Sequence, residues 1–140
     1  MQNLTAFLKP NAAKIEQKPY PASKRFKDET GTPMEWKLRC ITSTEDEEIR
    51  RSASRRAAGG RGQSAFETDV PLYLGRLAAK CTVFPDLNDA SLQDSYGVMG
   101  ADSLLRAMLT PGEYAAYLQQ VQKICGFDVS FDELVDEAKN

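Results

Sequence analysis

The chain has 140 residues, 41% hydrophobic and 27% charged, the composition of a soluble globular protein with a core of its own rather than of a disordered or membrane-spanning one. Its net charge of −2 conceals a polarity: 13 Lys/Arg face 8 Asp/Glu up to Arg61, and 5 face 12 from Gly62 onward, giving +5 in the front and −7 in the back. There is no histidine, which removes the usual nucleophile–base pairs from consideration.

The front half reads as a turn, a hairpin and a charged helix. Leu4, Phe7 and Leu8 stand at i, i+3 and i+4, a short helical segment stopped by Pro10. The opening MQNLTAFLKPNAAK lacks a basic start and an apolar core of secretory length, so export is not expected. After a polar linker to Pro21, Ala22, Lys24 and Phe26 alternate with Ser23, Arg25 and Lys27. Beyond the turn at residues 28–33, Met34, Trp36, Leu38 and Cys40 alternate with Glu35, Lys37 and Arg39. Period two on both sides of a Gly/Pro loop predicts a β-hairpin with its Trp36 face on a core. Thr42 or Ser43 then caps a helix that opens with EDEE and closes with Arg50, Arg51, Arg55 and Arg56, the order that the helix dipole favours. Its stripe of Ile49, Ala53 and Ala57 is thin. Glycines 59, 60 and 62 mark residues 59–66 as a flexible linker.

The back half is helices with explicit punctuation. Thr68 or Asp69 caps a helix bearing Val70, Tyr73, Leu74, Leu77, Ala78 and Cys81, with Pro71 in its first turn. Phe84-Pro85-Asp86-Leu87 forms a corner. Asn88 caps a short helix with Leu92 and Tyr96, ended by Gly97, and Leu104, Leu105, Met108 and Leu109 mark another. Thr110-Pro111-Gly112-Glu113 combines a capping box with proline at the first helical position. The stripe that follows is Tyr114, Tyr117, Leu118, Val121, Ile124 and Cys125, with Gly126 as the stop. Ser130 and Glu133 open a last helix with Phe131, Leu134, Val135 and Ala138. The fold expected is α+β, mainly α: an N-terminal β-hairpin packed on a compact bundle of about five short helices. It forms one domain over 1–140, with 1–58 as turn, hairpin and charged helix, 59–66 as linker and 67–140 as the helical part.

Catalytic and metal readings do poorly. Cys40, Cys81 and Cys125 are odd in number and far apart in sequence, which suits reduced cytosolic thiols, two of them on apolar helix faces. Zinc requires Cys/His clustering that is lacking. Asp86, Asn88 and Asp89 begin like a calcium loop, but Gly97 stands where the bidentate Glu belongs. GGRG lacks the Lys-Ser/Thr of a phosphate loop. Neither cofactor nor metal nor enzymatic activity is expected. The run RRSASRRAAGGRG could neutralise phosphates, yet it follows EDEE in an acidic chain and carries no aromatic platform. The opposite charges of the two halves either complement each other, within one fold or in a homo-oligomer, or steer a charged partner.

Taken in order, SKRFKDETGTPMEWKLRCITSTEDEE, FPDLNDASLQDSYGVMG and TPGEY closely resemble the phage XkdN-like tail assembly chaperones, from the hairpin to the C-terminus. The segment 50–67 matches poorly, and no role is carried onto its arginines. The resemblance implies a non-enzymatic protein of the bacterial host cytoplasm. It would bind the tape measure protein, keep it soluble, recruit tail-tube subunits and be missing from the finished virion. Masking amphipathic helices requires a helical apolar groove, so partner contacts are expected at Phe84, Leu87, Leu92, Tyr96, Tyr114 and Tyr117, aromatic and apolar residues near helix ends. The partners expected are the tape measure and tail-tube proteins, self-association is compatible with the pattern, and membrane and nucleic acid are not expected. The competing readings are a nucleic-acid-binding phage regulator using Arg50–Arg61 and a structural tail component.

Overall fold

The computed structural model describes residues 4–56 and 66–127. Within them, elements follow in the order β1 (Gln17–Tyr20), β2 (Trp36–Arg39), α1 (Ser43–Ser52), β3 (Ser54–Arg56), β4 (Phe66–Thr68), α2 (Val70–Cys81), β5 (Thr82–Phe84), α3 (Ala90–Tyr96), α4 (Ala101–Met108) and α5 (Pro111–Ile124). Strands β1, β2 and β5 form an antiparallel sheet in that order, and β3 pairs with β4 in a separate two-stranded ribbon. The class is the expected one: α+β, with an N-terminal hairpin on five short helices.

The hairpin is real, but its first strand lies upstream of the expected 22–27. Gln17 pairs with Arg39 and Tyr20 with Trp36. Ala22 and Ser23 are both buried, so the apparent alternation there is not a strand period. Ser23 Oγ accepts the Arg25 N–H, and the Arg25 guanidinium donates to the Met108 carbonyl at 2.9 Å, which bends the segment across α4. Edge strand β1 tolerates Pro19 because one side of its ladder is unpaired. The turn at 28–33 forms as read: Asp28 Oδ1 accepts from the Thr30 and Thr32 N–H groups around Gly31 at φ +85°.

Thr42 caps α1 in a full capping box with Glu45. This helix stops at Ser52, short of the expected Arg55 and Arg56, which lie in β3. Ser52 and Ser54 hydroxyls take the Ile49 and Arg50 carbonyls, competing with the continuing helix. The Asp69 N–H then holds the Ala53 carbonyl at 2.8 Å and fixes the β3–β4 crossing. Of the expected linker 59–66, only Phe66, the start of β4, is among the described residues, and the expected helix at 130–138 lies outside them.

Helix α2 is the hub, packed on α1, α4, α5 and β5. Asp69 is its N-cap. Its inner face, Tyr73, Leu77, Ala78 and Cys81, meets Trp36 and Leu38 from β2, Leu104 and Leu105 from α4, and Tyr117 and Val121 from α5 in one apolar cluster. Each fully buried large side chain contributes roughly 1.5–3 kcal/mol. Helix α3 starts from Asp89 rather than the expected Asn88, whose N–H turns back onto Asp86 while Asp89 Oδ1 accepts from Leu92. Gly97, at φ +65°, ends it. The capping box Thr110–Glu113 opens α5 as expected.

Candidate partner-binding surface

The six residues expected at a partner surface fall in three environments. Leu87 and Tyr117 are in the core at 2% and 0% exposure. Tyr117 packs edge-on against Tyr20 and Trp36, and its hydroxyl shares a hydrogen bond with Thr82 Oγ1. Burial pushes its phenol well above the ordinary tyrosine value. Leu92 and Tyr96, on α3, are half-buried against the same core. Phe84, at the end of edge strand β5, is 44% exposed. Tyr114 is half-buried and belongs to a different feature, an open groove.

That groove, about 470 Å³, runs between the first turns of α2 and the body of α5. Val70, Pro71, Leu72 and Leu74 form one wall, Tyr114 and Leu118 the other, with Asp69 and Arg106 at its polar edges. The local sequence builds it. Asp69 spends its carboxylate on the Leu72 N–H, and Pro71 fits the first turn, so an apolar N-terminus of α2 projects beyond the core. Val70 is more than half exposed. Gly75 lets α5 come close, since a Cβ there would stand 3.0 Å from Tyr114 Oη and 3.2 Å from Arg106 Nη1. Arg106 is steadied by Asp102 at 3.4 Å. Sequence reasoning put Val70 and Leu74 on the buried stripe. The available signal was the excess of apolar residues, since Val70, Leu72 and Leu74 together with Tyr73 and Leu77 cover more than one helix face.

A second exposed apolar set lies in the N-terminal arm, where Leu4, Phe7, Leu8 and Ile15 are all at least 45% exposed, around a 3₁₀ turn at Thr5–Phe7. The triplet read as a short helical segment is therefore largely solvent-facing.

The arginine segment is in part structural. Arg50 donates to Asp46 Oδ2 at 2.8 Å and to the Tyr73 hydroxyl at 3.1 Å, with its guanidinium 4.4 Å from the Tyr73 ring centre. Tyr73 in turn donates to Asp46, and burial followed by that carboxylate raises its phenol far above the usual value. Asp46, Arg50 and Tyr73 thus clamp α1 to α2. No group of three or more His, Cys, Asp or Glu among the described residues is arranged to hold a metal ion. No helix among them is long and apolar enough to cross a membrane.

These features define a small α+β protein with a helix-lined apolar groove, a surface suited to receiving another protein. Residues 4–139 match the family described as "Phage XkdN-like tail assembly chaperone protein, TAC", and the chain belongs to that family. It is 28% identical to the phage-like element PBSX protein XkdN of Bacillus subtilis (strain 168), over 99% of this chain and 94% of that one. It is equally 28% identical to the uncharacterized protein YqbN of the same strain, over 99% and 93%. The crystal structure of the protein YqbN superposes with a TM-score of 0.77 at 24% identity, covering 91% of this chain and 98% of that one, which shows a shared fold. The family is one of non-enzymatic assembly factors, and membership implies partners among the proteins of the phage tail.

Proposed function

We propose that this protein coats the tape measure protein of its phage, keeps it soluble in the host cytoplasm, recruits tail-tube subunits and departs as the tube polymerises. The groove between α2 and α5 carries the reading. Its apolar walls and charged edges suit one face of an amphipathic helix, the way that helix-in-groove recognition works. The excess of acid after Gly62 favours partners with basic helical faces. Within this reading Tyr114 contacts the bound helix directly. Phe84, Leu92 and Tyr96 offer further apolar contacts outside the groove lining, and Leu87 and Tyr117 contribute from the core.

The groove is shallow and open to solvent, which keeps affinity moderate and allows release during assembly. A regulator that binds nucleic acid through Arg50–Arg61 is less well supported, because Arg50 is committed to Asp46 and Tyr73. Capture tests the proposal. Immobilised protein should retain the cognate tape measure protein, Leu118→Asp should not, and Ala116→Asp, on the exposed side of α5, should retain it. Equal capture by all three would overturn the assignment to this groove.

A further inference from the structure

Three cysteines that are remote in sequence converge in the fold. Cys40 follows β2, Cys81 ends α2 and Cys125 stands at the C-terminal cap of α5. The sulfurs of Cys81 and Cys125 are 3.8 Å apart, and the Cys125 thiol also interacts with that of Cys40. All three are free. Cys40 and Cys125 line a small pocket of about 120 Å³ with Ile41, Thr42, Ser43, Asp46 and Phe127, while Cys81 is wholly buried behind it. Two of the three cysteines thus border the pocket, while the third, Cys81, is sealed with its sulfur 3.8 Å from that of Cys125.

The groups facing this cluster are Arg39, Asp46 and Tyr73. Hydrogen bonding from Cys81 pulls the Cys125 thiol down to about 6, aided by Cys40 and opposed by burial. Cys81 moves the other way, through its bond to Cys125 and through burial. Burial, then Cys125, pushes Cys40 up to about 11. The Cys40 S–H is directed at the Ile41 carbonyl, 3.2 Å away. A thiol bordering a pocket with a second, buried thiol 3.8 Å behind it is the arrangement of a reactive cysteine with a resolving partner.

We propose that Cys125 is a hydroperoxide-sensitive modification site that Cys81 resolves into an intrachain disulfide. The Cys125 thiolate attacks one oxygen of hydrogen peroxide. The O–O bond breaks, and the departing hydroxide takes up a proton to become water, leaving Cys125 as a sulfenic acid. Cys81 then attacks that sulfur. An S–S bond forms, the S–O bond breaks, and the Cys81 proton leaves with the hydroxyl as a second water. Two thiols are oxidised by two electrons and one peroxide is reduced to two waters. The sulfurs must approach from 3.8 Å to a bond of about 2.05 Å, and both cysteines stand at helix C-termini, where such a shift meets least resistance.

The experiment treats the full chain with hydrogen peroxide and maps non-reduced peptides by mass spectrometry. The expected product has lost two hydrogens, contains a Cys81–Cys125 linked peptide and reverts with dithiothreitol. Cys125→Ser should abolish it, Cys40→Ser should leave it intact, and Cys81→Ser should leave a sulfenic acid that dimedone captures. Should Cys81→Ser misfold, iodoacetamide labelling of the native wild type decides, with Cys125 expected to react about tenfold faster than Cys40 and Cys81. Equal labelling, a Cys40-linked or intermolecular disulfide as the main product, or thiols inert at peroxide levels that oxidise glutathione would overturn the proposal.

Discussion

The indole of Trp36 meets the ring of Tyr117 edge-on, with centroids 5.5 Å apart, and this contact joins the N-terminal sheet to α5. Both residues are buried, and Tyr20 reaches the same tyrosine from β1 at 5.8 Å. A hairpin marginal by itself is therefore held by an aromatic stack on the helical layer. Tyr117→Ala should cost about 3–5 kcal/mol in urea unfolding, followed by the fluorescence of the lone tryptophan. Tyr117→Phe should cost only about 1 kcal/mol, because Thr82 keeps its bond to the Ala78 carbonyl. Equal losses for the two variants would contradict a packing role.

Gly75→Ala separates groove shape from stability. The new methyl would press on Tyr114 Oη and Arg106 Nη1, the mobile ends of two side chains at the groove edge, while α2 gains about 1 kcal/mol of helix propensity. Net stability should stay within about 1 kcal/mol of wild type, and capture of the tape measure protein should weaken. A large loss of stability would mean that α2 and α5 cannot give at this point.

Acid should destabilise the fold in a defined window. The backbone N–H of Thr110 holds Glu113 below the usual carboxylate range, and that of Thr42 does the same for Glu45. The Thr30 hydroxyl acts likewise on Asp28. A depressed folded pKa contributes stability that is present above the unfolded value, about 4.3 for Glu, and lost as pH falls through the folded one. Through these carboxylates, denaturation midpoints should therefore fall as pH drops below about 4. Thr42→Ala and Thr110→Ala should each cost about 1 kcal/mol near neutrality and make the fall shallower. Midpoints that rise on acidification would contradict this.

Helix starts and stops were the legible part of the sequence, because caps are local chemistry. Thr110 with Glu113, and Gly97, stand where they were read, and of the two caps read for α1, Thr42 and Ser43, Thr42 is the one used. So was the β2 face, since Trp36 and Leu38 alternate with Lys37 across a half-buried strand. Strand β1 was not, because three of its four residues are exposed and no apolar period marks them. The β3–β4 ribbon escaped for a related reason: its strands are three residues each, too short to display an alternation. The groove was hidden differently. An apolar stripe reveals that a helix face is covered, not that its neighbours stop short of Val70 and Leu74. The meeting of three cysteines is likewise set by how α2 and α5 pack, which no local pattern encodes.

Duplex DNA provides the contrast with the regulator reading. With Arg50 engaged in the clamp to Tyr73, binding at physiological salt should be weaker than about 1 µM and insensitive to sequence. Fluorescence anisotropy with a labelled duplex reads this directly, and sub-micromolar binding to one sequence would favour the regulator.

The most direct test of the central claim is the soluble yield of the cognate tape measure protein when the two proteins are co-expressed. The account predicts that the tape measure protein stays in the soluble fraction and co-purifies with this protein. It also predicts that the double variant Leu74→Asp/Leu118→Asp, folded by circular dichroism, leaves it in the pellet. A tape measure protein equally soluble with the wild type, with the variant and with neither would contradict the account.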